Sequence, residues 1–216
     1  TLNSLELTYQ LPWLDDLSIT SRGSVNYQSG TSRLFVNPLL KSNFVNGGRL
    51  SNAETTNISK QIETYVTYTK ELSNIKSKLT FTAGHSYLDT ERDQDVDFGN
   101  GLEMVDGEYQ YTTDTGKDSF LVINKLASFF GRLNYTYDEK YLLSASLRRD
   151  GSSRFGPSNR WGTFSSFAFG WRILQEDWAS GLSNTFDNLK LRVGYGVTGN
   201  ERFGDYLYNT FYFYGT

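Results

Sequence analysis

The sequence predicts an all-β protein: an antiparallel, up-and-down transmembrane β-barrel segment of about eight to nine strands. Three observations carry this prediction. Apolar and polar side chains alternate with a period of two along successive segments, so each segment offers one greasy face and one polar face. The connections alternate between short and long, as in barrels with tight turns at one membrane surface and larger loops at the other. Tyrosines gather beside a short turn while charges rise toward a long Gly/Ser connection, as a strand passing from one interface to the other requires.

The first segment, about Leu5 to Gln10, sets Leu5, Leu7 and Tyr9 against Glu6, Thr8 and Gln10, and ends in a short turn at 11–16. The second, Leu17 to Gln28, sets Ile19, Val25 and Tyr27 against Thr20, Arg22, Asn26 and Gln28. A long polar connection follows at about 29–58, with Gly47-Gly48 inside it. In the third, Ser59 to Lys70, Ile62, Val66 and Tyr68 oppose Gln61, Glu63, Thr67 and Thr69, and a short turn at 71–75 ends it. The fourth, Lys76 to Leu88, sets Leu79, Phe81, Ala83 and Tyr87 against Lys78, Thr80, Thr82 and Ser86 before a second long connection at about 89–124.

The fifth and sixth segments form a hairpin around the tight turn 138–140, within FFGRLNYTYDEKYLLSASLRRDGSSRFG. Ala127, Phe129, Leu133, Tyr135 and Tyr137 point one way on its descending arm, opposite Ser128, Arg132, Asn134 and Thr136. On the ascending arm Tyr141, Leu143, Ala145 and Leu147 oppose Ser144, Ser146, Arg148 and Asp150, and a loop at 150–161 follows. The seventh segment, Gly162 to Ile173, carries Phe167, Phe169 and Trp171 on one face. Its connection to the eighth, 174–187, is longer than a turn, and Gln175 to Ser180 suits a small helix or cover. The eighth, Asn188 to Thr198, sets Leu189, Leu191, Val193, Tyr195 and Val197 against Lys190, Arg192, Gly194 and Thr198; the start of a ninth follows.

Residues 1–216 are therefore expected to form one partial barrel domain. If the short turns are periplasmic, the first strand runs inward, the eighth runs outward, and both ends lie outside. A complete small barrel keeps both ends in the periplasm, so a segment of a larger barrel is expected.

Composition agrees. Only 38% of residues are hydrophobic, and no apolar run approaches the length of a spanning helix. Aromatics nevertheless reach 16%, which suits a wall whose every second residue meets water. A secreted β-sandwich binding module would share that composition. The absence of cysteine excludes a disulfide scaffold and any thiolate metal site. A net charge of -3 argues against nucleic acid as partner.

Several local signals invite a functional reading. Gly194 to Gly199 fits the spacing of a dinucleotide-binding turn, but the residues that follow read as loop, and that motif needs a helix there. Asp93, Asp95 and Asp97 have the every-second-residue spacing of a calcium loop, although Phe98 and Met104 stand where such a loop needs Gly and Glu. They are weak calcium candidates and otherwise solvated acids. His85, the single histidine, shares a face with Phe81 and Ala83, which favours an interfacial or packed histidine over a zinc site or a catalytic triad. A glycosidase would need two carboxylates at fixed separation, whereas the acids here cluster in turns and loops, so no enzyme and no cofactor is expected. Arg132 and Arg148 lie on the polar parity and are candidates both for ion pairs across the wall and for ligand contact. Arg149 falls on the apolar parity and should sit beyond the hydrocarbon. The loop 151–161 combines Phe155 and Trp161 with Arg154, Asn159 and Arg160. Stacking rings beside planar hydrogen-bonding groups suit a sugar, and equally suit packing against other loops or a lid.

The hairpin, its continuation GSSRFGPSNRWGTFSSFAFGWRI, and DNLKLRVGYGVTGN together resemble the SusC/RagA-like TonB-linked outer-membrane transporters, most densely from Phe129 to Asn200. Residues 1–128 share the strand rhythm only, and Ser165-Ser166 stands where the family more often has Pro-Ser. The resemblance implies a C-terminal-ward part of a barrel of about 22 strands around an N-terminal plug. It further implies import of oligosaccharides or peptides, a SusD-like surface lipoprotein as cap, outer-membrane lipid around the barrel, and energy from the TonB complex through regions that find no match here. A siderophore-type TonB-dependent receptor or a porin would share the strand pattern.

Overall fold

In the computed structural model, which describes residues 1–39 and 47–200 (the backbone alone over 112–114), eight strands run in sequence order. They are β1 (Leu2–Gln10), β2 (Leu17–Val36), β3 (Arg49–Leu72), β4 (Ser77–Val105), β5 (Glu108–Tyr137), β6 (Tyr141–Ser152), β7 (Trp161–Arg172) and β8 (Lys190–Gly196). Each strand is hydrogen-bonded to its sequence neighbours in a single sheet, the up-and-down order that the alternation predicts. A sandwich would divide these strands between two packed sheets. Among the described residues no helix is long and apolar enough to cross a membrane, which leaves crossing by strands untouched. The expected start of a ninth strand lies outside the described residues.

The hairpin register explains the pattern. Tyr137 pairs with Tyr141, Tyr135 with Leu143, Leu133 with Ala145, and Phe129 with Arg149. β7 continues these rows, placing Trp171 beside Tyr141, Phe169 beside Leu143 and Phe167 beside Ala145. β8 adds Leu191, Val193 and Tyr195. One face thus carries continuous apolar rows, and they are open to the surroundings: Val193 is 62% and Tyr195 74% exposed. The other face is a ladder of polar contacts between strands. The hydroxyls of Thr8 and Thr20 lie 3.0 Å apart, Ser144 donates to Asn134 at 2.6 Å, and the hydroxyls of Ser146 and Ser166 are 2.7 Å apart. Arg22 Nε donates to Glu6 on the same face at 2.7 Å.

Strands β2 to β5 run well past the segments that alternation marks. Much of what the sequence offers as long connections at 29–58 and 89–124 is strand, and β4 turns into β5 at Asp106-Gly107. Both turn residues have positive φ, 51° and 86°, the signs of a type I′ hairpin turn, which Asp-Gly favours. Where neither face of a ribbon is apolar, backbone bonding builds the strand without leaving a hydrophobic period.

The chain divides into two compact units. One comprises Thr1–Asn3, Val25–Lys60 and Asp89–Asn124, and the other comprises Ser4–Ser24, Gln61–Leu88 and everything from Lys125 on. The first has a small core of its own, with Leu50 and Leu102 buried, Phe35 and Tyr109 rings 5.0 Å apart, and the Arg49 guanidinium 5.3 Å over Phe98. The apolar rows and the candidate site belong to the second.

The β5–β6 turn uses positive φ at two non-glycine residues, Asp138 (48°) and Glu139 (51°). Asp138 is retained by its ion pair with Lys76 at 3.0 Å, whereas Glu139 forms no ion pair among the described residues. Glu139→Gly is therefore expected to stabilise the folded barrel by up to about 1 kcal/mol, measured as a higher urea midpoint, since the left-handed region costs an L-residue about that much. Asp138→Gly forfeits the ion pair and should not.

Candidate functional site

The sequence-marked residues fall into three groups on the second unit. Arg132 and Arg148 lie on the polar face and, with Glu63, Thr82 and Ser146, line a depression of about 300 Å³. Arg148 is held rigidly. Its Nε reaches both Asp150 carboxylate oxygens at 2.7 and 2.9 Å, and its terminal nitrogen donates to the Ser128 hydroxyl at 2.9 Å. Ser128 is only 1% exposed, so the guanidinium supplies a buried hydroxyl with its partner.

The second group lies at the connection between β6 and β7, at the end of these strands remote from the 138–140 turn. Phe155, Asn159, Arg160 and Trp161 line a cavity of about 320 Å³ together with Leu126, Asp150 and Phe164. The loop that carries them is pinned in place. Ser153 exchanges two bonds with Lys125: the backbone N–H of Ser153 donates to the Lys125 carbonyl at 2.9 Å, and the Lys125 N–H donates to the Ser153 hydroxyl at 2.8 Å. Ser152 N–H reaches the Arg160 carbonyl at 3.0 Å, closing the loop at its base. Pro157 then opens a single 3₁₀ turn, where its fixed φ costs nothing further. Arg154, on the same loop, is not part of the cavity lining.

Trp161 also belongs to a third group, which sequence reasoning overlooked. Its odd-numbered position puts it on the apolar parity of β7, opposite Gly151. A side chain on Gly151 would come within 2.8 Å of the Trp161 ring, so glycine there lets the indole lie flat across the strand. The ring stacks on Phe129 at 6.2 Å, and the Arg149 guanidinium lies 5.3 Å over it. His85 follows, exposed and 6.5 Å from the Phe129 ring.

Asp93, Asp95 and Asp97 are not brought together. They lie along one face of strand β4, their Cα atoms about 6.5 Å apart in sequence along the strand. Asp97 pairs instead with Lys117 at 3.0 Å, and among the described residues no acidic or histidine cluster could hold a metal. The Gly194–Gly199 spacing lies at the end of strand β8 and just past it, and the segment that would have to form the helix of such a motif lies outside the described residues.

The short-turn edge carries a further cluster that no sequence period announces. Between β7 and β8 the chain forms two 3₁₀ stretches, Ile173–Gln175 and Asp177–Asn184, close to the small helix expected there. They set Glu176 under the tyrosine row. Its carboxylate accepts from Tyr141 Oη at 2.7 Å, Trp171 Nε1 at 3.0 Å and Lys140 Nζ at 3.3 Å. The bonds from Tyr141 and Trp171, with the Lys140 charge, hold the Glu176 carboxyl below its ordinary range. Lys76, and beside it Lys140, does the same for Asp138. A depressed value means that Glu176 contributes its full stability above the ordinary glutamate range, and that this is lost as pH falls through the depressed value. Acidification is therefore expected to shift the tryptophan emission of the folded barrel, through Trp171 and Trp178, and Glu176→Gln should abolish that shift.

Exposed apolar rows on one face, a hydrogen-bonded polar face on the other and aromatic rows at the strand ends define a transmembrane β-barrel wall. No protein-family model matches the chain. It is 33% identical over 214 residues to the TonB-dependent receptor SusC of Bacteroides thetaiotaomicron, a match covering 94% of this chain and 20% of that protein. It is 36% identical over 188 residues to the TonB-dependent receptor P39 of Formosa agariphila, covering 80% of this chain and 17% of that one. The RagAB peptide transporter superposes with a TM-score of 0.68 at 24% identity, over 95% of this chain and 23% of the other. The chain belongs to the SusC/RagA-like TonB-dependent receptors. It spans about a fifth of the length of the curated relatives it matches.

Proposed function

We propose that this wall is part of an active importer that carries oligosaccharides or peptides across the outer membrane. In this reading the importer is energised through the TonB complex and capped by a SusD-like surface lipoprotein. The carrying observation is the division of one up-and-down sheet into an apolar and a polar face, joined to the likeness to SusC over 94% of the chain. The polar face lines the lumen, the short turns are periplasmic and the loop 151–161 is extracellular, all in one partial barrel of about 22 strands. Bound cargo passes through a gated lumen, and no bond is made or broken by this wall.

The cavity beside Asn159 and Arg160 is the first place in this wall for cargo to touch. Phe155 and Phe164 line it with aromatic rings and Trp161 closes one side, while Asn159 and Arg160 offer planar donors, a combination suited to a sugar ring or a peptide amide. Asn159→Ala with Arg160→Ala, made in the full-length receptor, is expected to lower uptake of labelled cargo about thirtyfold while surface abundance stays unchanged, since each lost polar contact is worth about 1 kcal/mol. Uptake assays with oligosaccharide, peptide and ferric siderophore separate the cargo classes, and uptake of the siderophore alone would replace this reading by that of a siderophore receptor. A membrane-impermeant maleimide should label Ser158→Cys in intact cells; labelling only after the outer membrane is opened would reverse the proposed sidedness.

A further inference from the structure

The apolar face ends in a cationic aromatic cluster that neither the polar face nor the short-turn edge uses. On β6, Arg149 lies eight residues beyond Tyr141 on the same parity. At about 3.3 Å per residue and a strand tilt of about 40°, that is roughly 20 Å along the membrane normal, against an apolar band about 25 Å tall. Tyr141 lies in the aromatic row at the short-turn edge, with stacked contacts to Tyr137 and Trp171. Arg149 therefore lies where hydrocarbon gives way to headgroups at the opposite surface, and the rows between are apolar.

The chemistry at that level is specific. Arg149 is flanked in the ladder by Phe129 and Thr163, and among the described residues it forms no ion pair. Its sequence neighbours Arg148 and Asp150 point to the other face and bind each other. A guanidinium laid on an indole face keeps its in-plane N–H donors free, and those donors match a phosphate in a two-pronged geometry. The exposed rings of Phe129 and Trp161 border it, and the exposed imidazole of His85 lies on the far side of Phe129, 6.5 Å from that ring.

We propose that Arg149, supported by Trp161 and bordered by Phe129, binds the phosphate of an anionic outer-leaflet lipid, whose acyl chains lie along the apolar rows below. The choice of leaflet rests on the sidedness given under Proposed function; the phosphate contact does not.

The test uses the full-length receptor, purified and delipidated in neutral detergent, and counts bound lipid by native mass spectrometry. Bis-phosphorylated lipid A and its dephosphorylated form are the probes. Arg149→Gln is expected to weaken binding of the phosphorylated form about fivefold, Arg149→Lys to recover only part of that loss because the charge remains without the fork, and neither to alter the dephosphorylated form. Equal binding of phosphorylated lipid by Arg149→Gln and the unaltered receptor would overturn the proposal. So would displacement of the lipid by millimolar inorganic phosphate, which would make this a site for the free anion. Labelling of Ser158→Cys reports sidedness separately: periplasmic labelling overturns the leaflet assignment and the transporter orientation together, while the lipid counts still decide the phosphate contact.

Discussion

Arginine introduced at Ala145 is expected to destabilise the barrel by about 2–4 kcal/mol, the cost of a cation near the midplane of a lipid-facing strand. Ala145 sits in the row Leu133–Ala145–Phe167–Tyr195, midway along β6 between Tyr141 and Arg149. It has no polar neighbour there to share the charge. Ser144→Arg and Ser146→Arg put the same group one residue away on the polar face, where it meets water and the Asn134 and Ser166 side chains. These forfeit a hydroxyl bond of the ladder and should cost about 0.5–1.5 kcal/mol, well below the effect at Ala145. The comparison is read as the urea midpoint of the full-length receptor folded into lipid vesicles, with the unboiled electrophoretic mobility as a check of folding. Equal responses at Ala145 and Ser146 would mean that the apolar rows do not face lipid.

The second large effect is expected at Arg148. Truncation to alanine leaves the Ser128 hydroxyl buried with its donor gone and Asp150 without its two-pronged partner. The expected loss is about 1–3 kcal/mol in the same unfolding measurement. Arg148→Lys restores the charge but not the fork that spans Asp150 and Ser128 together, so it should recover only part of the loss. A variant as stable as the parent would show that water replaces these contacts freely and that the polar face is less ordered than its ladder of bonds indicates.

The hairpin of β5 and β6 was legible because one physical demand, a face exposed to hydrocarbon, fixes every second residue. Its turn at 138–140 and its facing pairs can be read directly from that alternation. The far parts of β2 to β5 were not legible in that way. Residues such as Asp93 to Asp97 and Gly116 to Asp118 belong to ribbons without an apolar side, so the strand is written in backbone bonds that leave no trace in composition. One signal was present and unused: Asp106-Gly107, a dipeptide that favours the hairpin turn joining β4 to β5.

The site was legible in residue type and less so in placement. Asn159, Arg160 and Trp161 do meet in one cavity, and Arg132 and Arg148 share another, as loop position and strand parity divide them, yet nothing in the loop's sequence sets Arg154 apart from its neighbours. Trp161 could have been assigned to the apolar rows from parity with Phe167, Phe169 and Trp171. Glu176 could not have been found this way. Its importance arises from a short irregular connection that folds back under Tyr141 and Trp171, and irregular chain has no period to read.

The short-turn edge has a mechanical consequence. Thr69 N–H bonds the Asp16 carbonyl at 2.7 Å, Asp138 N–H bonds the Lys76 carbonyl at 2.7 Å, and Arg172 N–H bonds the Lys140 carbonyl at 2.8 Å. Ion pairs of Asp16 with Lys70, Lys76 with Asp138, and Lys140 with Glu176 overlie these bonds. Each turn is thereby stitched to the strand or turn beside it, like the selvedge of a woven cloth. A tug on any one of them is shared along the hem, and the wall gives way there only when several stitches open at once.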